Sequence, residues 1–208
     1  MVQKSPGKRG RPRAYDPDAA LAQATSVFWK GGYAGTSLDD LAAGTGMNRP
    51  SLYGAFGDKH ALYMLATQRY REQGRDTVRD ILAQGPARAA TAELFARAAE
   101  FYLQGEHGQR GCFLIGTALT EAVNDTEVRA SLGAALDEFD AVFEARFREA
   151  AASGELRPGD DPAAMARIAA ATLYTMSIRA RAGGSRAVLD ALAAAAMAVL
   201  FGPATAPP

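Results

Sequence analysis

Cysteine is nearly missing from these 208 residues: Cys112 stands alone, so no internal disulfide framework can form. Histidine is almost as scarce, and with only His60 and His107 beside that thiol there is no ligand set for a structural zinc site. No apolar run approaches the roughly 20 residues that a membrane-spanning helix needs. The N-terminus is too charged and too rich in Pro and Gly for a signal peptide. The sequence therefore predicts a cytoplasmic protein with no metal, no cofactor and no membrane partner. Period-two alternation is almost absent as well, which excludes a sheet of any size. Alanine, leucine, glutamate and arginine are abundant instead, and the expected fold class is all-α.

What is present suffices for a core. Hydrophobic residues make up 48% and charged residues 22%, the balance of a globular chain rather than a disordered one. The formal net charge is zero, which alone would argue against a nucleic-acid partner, but the charge is unevenly placed. Residues 1–15, "MVQKSPGKRGRPRAY", carry Lys4, Lys8, Arg9, Arg11 and Arg13 against no acid. Residues 16–60 hold Lys30, Arg49 and Lys59 against Asp16, Asp18, Asp39, Asp40 and Asp58. Positive charge is thus concentrated in a Pro/Gly-rich arm that cannot bury enough apolar surface to order itself. The string "GKRGRPR" suits entry into an A·T-rich minor groove, which makes Arg9, Arg11 and Arg13 candidate DNA contacts.

Helix signals follow one another closely after the arm. Asp16 as N-cap and Pro17 in the first turn start a helix that Gly31-Gly32 stops. Thr36 or Ser37 caps a second, with Asp39 and Asp40 in its first turn and Gly46 at its end. Asn48 caps a third containing Pro50, Leu52, Tyr53 and Phe56, and Asp58 caps a longer fourth that reaches about residue 84. Longer helices are expected over about 87–104, 110–123, 126–153, 162–182 and 185–201, with a disordered tail at 202–208 and no internal repeat. The predicted organisation is an arm at 1–15, a three-helix head at 16–62 and a helical regulatory and dimerisation domain at 63–201.

Two helices of about eight residues joined at Gly46 are too short to stand alone and need the first helix as a platform, which is the helix-turn-helix arrangement. In it Leu41, Met47 and Leu52 are buried contacts, and residues 48–54 are small or polar because their outer side enters a DNA groove. The segment "GYAGTSLDDLAAGTGMNRPSLYGAFGDKHAL" resembles the DNA-binding domain of the TetR/AcrR family of bacterial transcriptional regulators, over residues 15–65. The resemblance implies a dimeric regulator, commonly a repressor, bound to double-stranded operator DNA and released by a small-molecule effector enclosed in a C-terminal helical domain. It also implies phosphate contacts from Tyr53 and Lys59, a hydroxyl contact from Thr36 or Ser37, and base reading near Arg49 and Ser51. Asn48 and Pro50 depart from the family pattern, where serine or threonine and glycine are usual; both are retained as candidates.

Further candidates lie in the C-terminal part. Phe101, Tyr102, Phe113, Phe139, Phe143 and Tyr174 are candidates for lining an effector pocket, or for plain core. Cys112 is expected to be a small buried hydrophobe, as a free cysteine most often is; its place after Gly111 and Arg110 at a helix start, where the dipole and the cation would lower a thiol's pKa, makes an electrophile or oxidation sensor the alternative. Met165, Ile168, Thr172 and Met176, with Val188, Leu192 and Val199, form stripes expected to join two copies in a homodimer. A thiol-dependent helical enzyme using Cys112 and His107 is a further reading, and it leaves the N-terminal third without a role. No catalytic residue is assigned.

Overall fold

The computed structural model describes residues 15–105 and 109–203. The basic arm with Arg9, Arg11 and Arg13, His107 and most of the C-terminal tail lie outside the described residues. Among the described residues the chain is helical throughout: α1 Pro17–Gly31, α2 Leu38–Thr45, α3 Arg49–Phe56, α4 Lys59–Leu82, α5 Ala87–Tyr102, α6 Phe113–Glu121, α7 Thr126–Ala152, α8 Pro162–Arg181 and α9 Arg186–Phe201. No helix among them is long and apolar enough to cross a membrane.

The starts are set by side-chain caps that satisfy amides with no partner inside the helix. The Asp16 carboxylate accepts from the backbone of Asp18 and Ala19, and the Asp58 carboxylate from Ala61. At α2 the cap is Ser37, which closes a reciprocal box with Asp40. The α2–α3 turn requires left-handed backbone at Gly46, φ 66°, which glycine adopts without steric cost. A tighter constraint sits at Gly44, where a Cβ would meet Val27 Cγ2 at 2.3 Å. Only glycine lets α2 come that close to α1.

Two hydrophobic cores divide the molecule. The lower one gathers Ala24, Phe28 and Trp29 of α1, Leu41 of α2, Leu52 of α3 and Tyr63 of α4, and continues into Phe113 of α6 and Val128 and Leu132 of α7. The upper one joins the end of α4 to α5, α7, α8 and α9 around Phe95, Phe143, Phe147, Met176 and Leu189. The lower core thus runs past residue 62 into the helices expected to be regulatory. Tyr63 marks the crossing. Fully buried, it packs edge-on to Phe28 at 5.2 Å, and its hydroxyl lies 2.8 Å from Thr117 Oγ1 of α6. Because Thr117 gives its own proton to the Phe113 carbonyl, the tyrosine is the donor.

Removing that donor should cost less than removing the ring beside it. Tyr63→Phe is expected to lower unfolding free energy by about 1 kcal/mol and Phe28→Ala by about 3–5 kcal/mol, read from denaturant midpoints at unchanged slope. Equal losses would mean that the hydroxyl, not the packing, holds the crossing together.

Candidate nucleic-acid interface and regulatory groove

Helix α3 is held on one face and open on the other. Leu52 is buried against the lower core, while Tyr53 on the next position is 48% exposed. The Asn48 carboxamide oxygen accepts from Ser51 N at 2.9 Å, so the uncommon Asn still caps. Pro50 in the first turn loses no intrahelical bond, since the amide there has no partner. A Cβ at Gly54 would meet nothing within 4 Å, so the backbone of α3 is open to close approach by a large partner at that position, beside the exposed side chains of Arg49 and Tyr53.

Arg49 is exposed and clasped by Asp39 of α2, with Nε donating to Oδ1 at 2.8 Å and Nη2 to Oδ2 at 2.6 Å. These hydrogen bonds, and then the charge of Asp39, raise the guanidinium's pKa further. Asp39 is legible in the sequence only as an acid suited to a helix start; its grip on a residue ten positions away depends on how the turn folds the two helices together. Lys59 lies with Nζ 4.4 Å from the centre of the Tyr33 ring, beside the start of α4.

Two of the hydroxyl candidates are used internally. Thr36 is 3% exposed and donates to the Gly32 carbonyl at 2.6 Å, so it braces the α1–α2 turn and has no surface to offer a phosphate. Ser37 is exposed, but its hydroxyl donates to Asp40 Oδ2 at 2.6 Å and accepts from Asp40 N. The Ser37 hydroxyl, and then the Ser37 backbone N–H donating to the same Oδ2 at 2.8 Å, hold the Asp40 carboxyl below its usual range.

The pocket candidates separate into wall and core. A groove of about 860 Å³ runs between α1, α4 and α5, with Phe101, Tyr102 and Phe139 in its lining. Phe113 and Phe143 are fully buried in the two cores and do not line it, because each is enclosed by side chains on all sides. Tyr174, its hydroxyl buried without a hydrogen bond, and Cys112 also lie outside the lining. Trp29, Tyr70 and Arg110, which do line the groove, escape the sequence reading, because nothing local marks them as neighbours. Trp29 Nε1 donates to the Arg110 carbonyl at 2.9 Å, and both Nη atoms of Arg181 reach the Trp29 carbonyl at 3.2 Å.

On α8 and α9, Ile168 is 40% and Val199 62% exposed, and with Thr172 and Leu192 they border a shallow apolar hollow of about 350 Å³. Val188 and Ile178 are exposed on the same two helices. Met165 and Met176 are not part of this face: both are buried in the upper core, on the side of α8 that points inward. Thr175 and Ala195, which help to line the hollow, complete the face that the apolar stripe alone leaves ambiguous.

Cys112 agrees with the buried-hydrophobe reading and departs from the sensing alternative. It is the N-cap residue of α6, and the backbone amides of Ile115 and Leu114 and the Tyr70 hydroxyl, 3.5 Å from Sγ, do favour the thiolate. Burial outweighs them and pushes the thiol's pKa up. The rate of alkylation of the native protein should therefore rise with pH to a midpoint above the roughly 8.5 of a free cysteine. A midpoint below that of the unfolded protein would restore the sensing thiolate.

The family model for the N-terminal domain of bacterial regulatory proteins of the tetR family matches residues 20–64, spanning α2 and α3 and the platform beneath them. A second model, the tetracyclin repressor-like C-terminal domain, matches residues 90–196. The chain is 31% identical over 186 residues to the HTH-type transcriptional repressor ComR of Escherichia coli (strain K12), covering 88% of this chain and 87% of that protein. It is 30% identical to the uncharacterized HTH-type regulator YezE of Bacillus subtilis (strain 168), over 76% of this chain and 82% of that one. Among solved structures, a cysteine mutant of the regulator CifR in complex with 26-bp double-strand operator DNA superposes with a TM-score of 0.82 at 35% identity, covering 90% of this chain and 98% of that one. Matched by one family model at the head that carries α3 and by another over the helices above it, this chain belongs to the TetR family of bacterial transcriptional regulators.

Proposed function

We propose that two copies of this chain, joined through the exposed faces of α8 and α9, bind a near-palindromic duplex operator in the cytoplasm and repress transcription until a small-molecule effector displaces them. The observation that carries the proposal is the surface of α3: a capped helix anchored by Leu52, with Arg49 and Tyr53 exposed beside the bare backbone of Gly54. Such a surface fits a major groove, where a small-residue helix approaches the base edges and an arginine reads guanine through paired hydrogen bonds. The operator complex of CifR supports the reading. No catalytic role is proposed for any residue.

Within this scheme Tyr53 and Lys59 anchor phosphates and Arg49 reads bases, with Asn48, Pro50 and Ser51 shaping the approach. The arm, through Arg9, Arg11 and Arg13, adds charge-driven affinity. Two-fold symmetry requires the operator to repeat its half-site in inverted orientation. An effector acts by stabilising a spacing of the two heads that no longer matches the DNA.

Gel-shift titration against the DNA upstream of the protein's own gene tests the scheme, and saturable binding in competition with unrelated duplex is the expected result. Arg49→Ala should cost about 1–3 kcal/mol on the preferred duplex and little on unrelated DNA, whereas Tyr53→Phe should weaken both alike. If Arg49→Ala weakened the two equally, the arginine would be a phosphate ligand. Removing residues 1–13 should flatten the slope of log affinity against log salt by about 0.9 for each phosphate that the arm neutralises with an unchanged melting temperature. An unaltered slope would take the arm off the DNA.

A further inference from the structure

The groove between α1, α4 and α5 contains one charged group whose partners differ from those of its neighbours. Arg69 is paired with Asp18 at 2.6 Å and Arg97 with Glu93 at 2.6 Å. The acids in the lining are matched too, Asp80 by Arg79 and Glu100 by Arg186. Arg110 forms no ion pair among the described residues. Its guanidinium lies 4.2 Å from the centre of the Trp29 ring and 4.6 Å from that of Phe101, and one Nη donates to Gln104 Oε1 at 2.8 Å. Its other guanidinium N–H groups make no hydrogen bond to a described residue.

Two aromatic rings so placed hold the plane of the guanidinium, while its edges remain available. A cationic ligand would have to displace Arg110 from both rings, whereas an anion adds to what is already there. The guanidinium edge matches a carboxylate in two parallel N–H···O bonds. Beyond it the groove is lined by Val78, Ile81, Leu94, Ala98, Phe139 and Leu173, an apolar run leading toward the upper core. The volume of about 860 Å³ falls in the range of small-molecule sites.

The geometry points to an anionic amphiphile as the occupant of this groove, its carboxylate on the edge of Arg110 and its apolar body along α4 and α5 toward Leu173. The inference rests on the reading of the protein as an effector-controlled repressor, and names the chemical class of effector and its anchor. The anchor is also connected to the reading head. The Arg110 carbonyl accepts the Trp29 indole N–H, and Arg181 reaches both that carbonyl, at 3.3 Å, and the Trp29 carbonyl at the end of α1. A ligand that pulls on Arg110 therefore pulls on the last turn of α1.

Trp29 is the chain's only tryptophan and lines this groove, so its fluorescence responds to what binds there. The full-length protein is titrated with decanoate, decyltrimethylammonium and decan-1-ol, three probes of equal chain length and different charge. Decanoate is expected to change the emission saturably and to bind at least about tenfold more tightly than either of the others, the gain of a charge-assisted hydrogen bond. Arg110→Gln should abolish that preference. Thr77→Phe, which fills the groove wall and leaves the anchor intact, should weaken all three probes together; if Arg110→Gln fails to fold, that joint loss with the decanoate preference retained supports the site, and undiminished decanoate binding by Thr77→Phe overturns it. Equal binding of decanoate and decan-1-ol, or undiminished decanoate binding by Arg110→Gln, would overturn the site. Operator release is measured separately by gel shift. Decanoate that binds through Arg110 yet leaves the operator complex intact supports the site and counts against the effector reading. Release by other compounds, with no carboxylate preference at Trp29, does the reverse.

Discussion

The indole of Trp29 fills the angle between the end of α1 and the regulatory helices, and the groups that hold it come from three distant parts of the chain. Its N–H is taken by the Arg110 carbonyl, its own carbonyl by Arg181, and its faces and edges by Tyr70, Phe101 and Phe113. A buried tryptophan gains most of its stabilisation from apolar area, but its N–H must find an acceptor, and that demand fixes the ring's orientation. The α5–α6 connection cannot shift without breaking this bond, and α8 cannot turn without dragging Arg181. Because packed interiors move between discrete arrangements rather than deforming smoothly, such a junction is suited to carry the proposed signal from the groove to the head.

The reading helix poses a different physical problem. An exposed ion pair such as Asp39–Arg49 adds little stability, about 0–1 kcal/mol. Its effect is on geometry, since two parallel hydrogen bonds hold a flexible side chain in one orientation at the mouth of α3. The cost is an acid beside the DNA-facing surface. Residues 16–60 carry more acid than base, so in the proposed scheme the long-range attraction of a polyanion would fall mainly to the five cations of the arm.

Most of the architecture can be read from local signals. The caps at Asp16, Asn48 and Asp58, the Gly46 turn and the breaks after Gln84 and Ala152 are short-range features whose chemistry is complete within a few residues. The α6 start reads three residues early, at 110, because Arg110 and Gly111 still belong to the connection that receives Trp29. Side-chain roles are less legible wherever they depend on which face of a helix turns inward. Met165 and Met176 share a stripe with Ile168 and Thr172, yet lie on its inner edge. Thr36 and Ser37 are neighbouring hydroxyls, of which one braces a turn and the other closes a cap. The pairing of Arg49 with Asp39, and of Trp29 with Arg110 81 positions away, cannot be inferred from one sequence, since nothing local to either residue specifies the other.

Helix α4 belongs to both cores: Leu62, Tyr63 and Ala66 to the lower, Val78, Ile81 and Leu82 to the upper. Its 24 residues make a rod about 36 Å long. A rigid rod magnifies angle into displacement, so a tilt of about 5° at the upper end carries the lower end through about 3 Å. In a two-fold assembly the heads would shift in opposite directions, doubling that distance between them, against a groove spacing of about 34 Å that tolerates little error. In the proposed dimer the length of α4 would thus set the gearing between a small rearrangement in the upper helices and the register of two reading helices on a duplex.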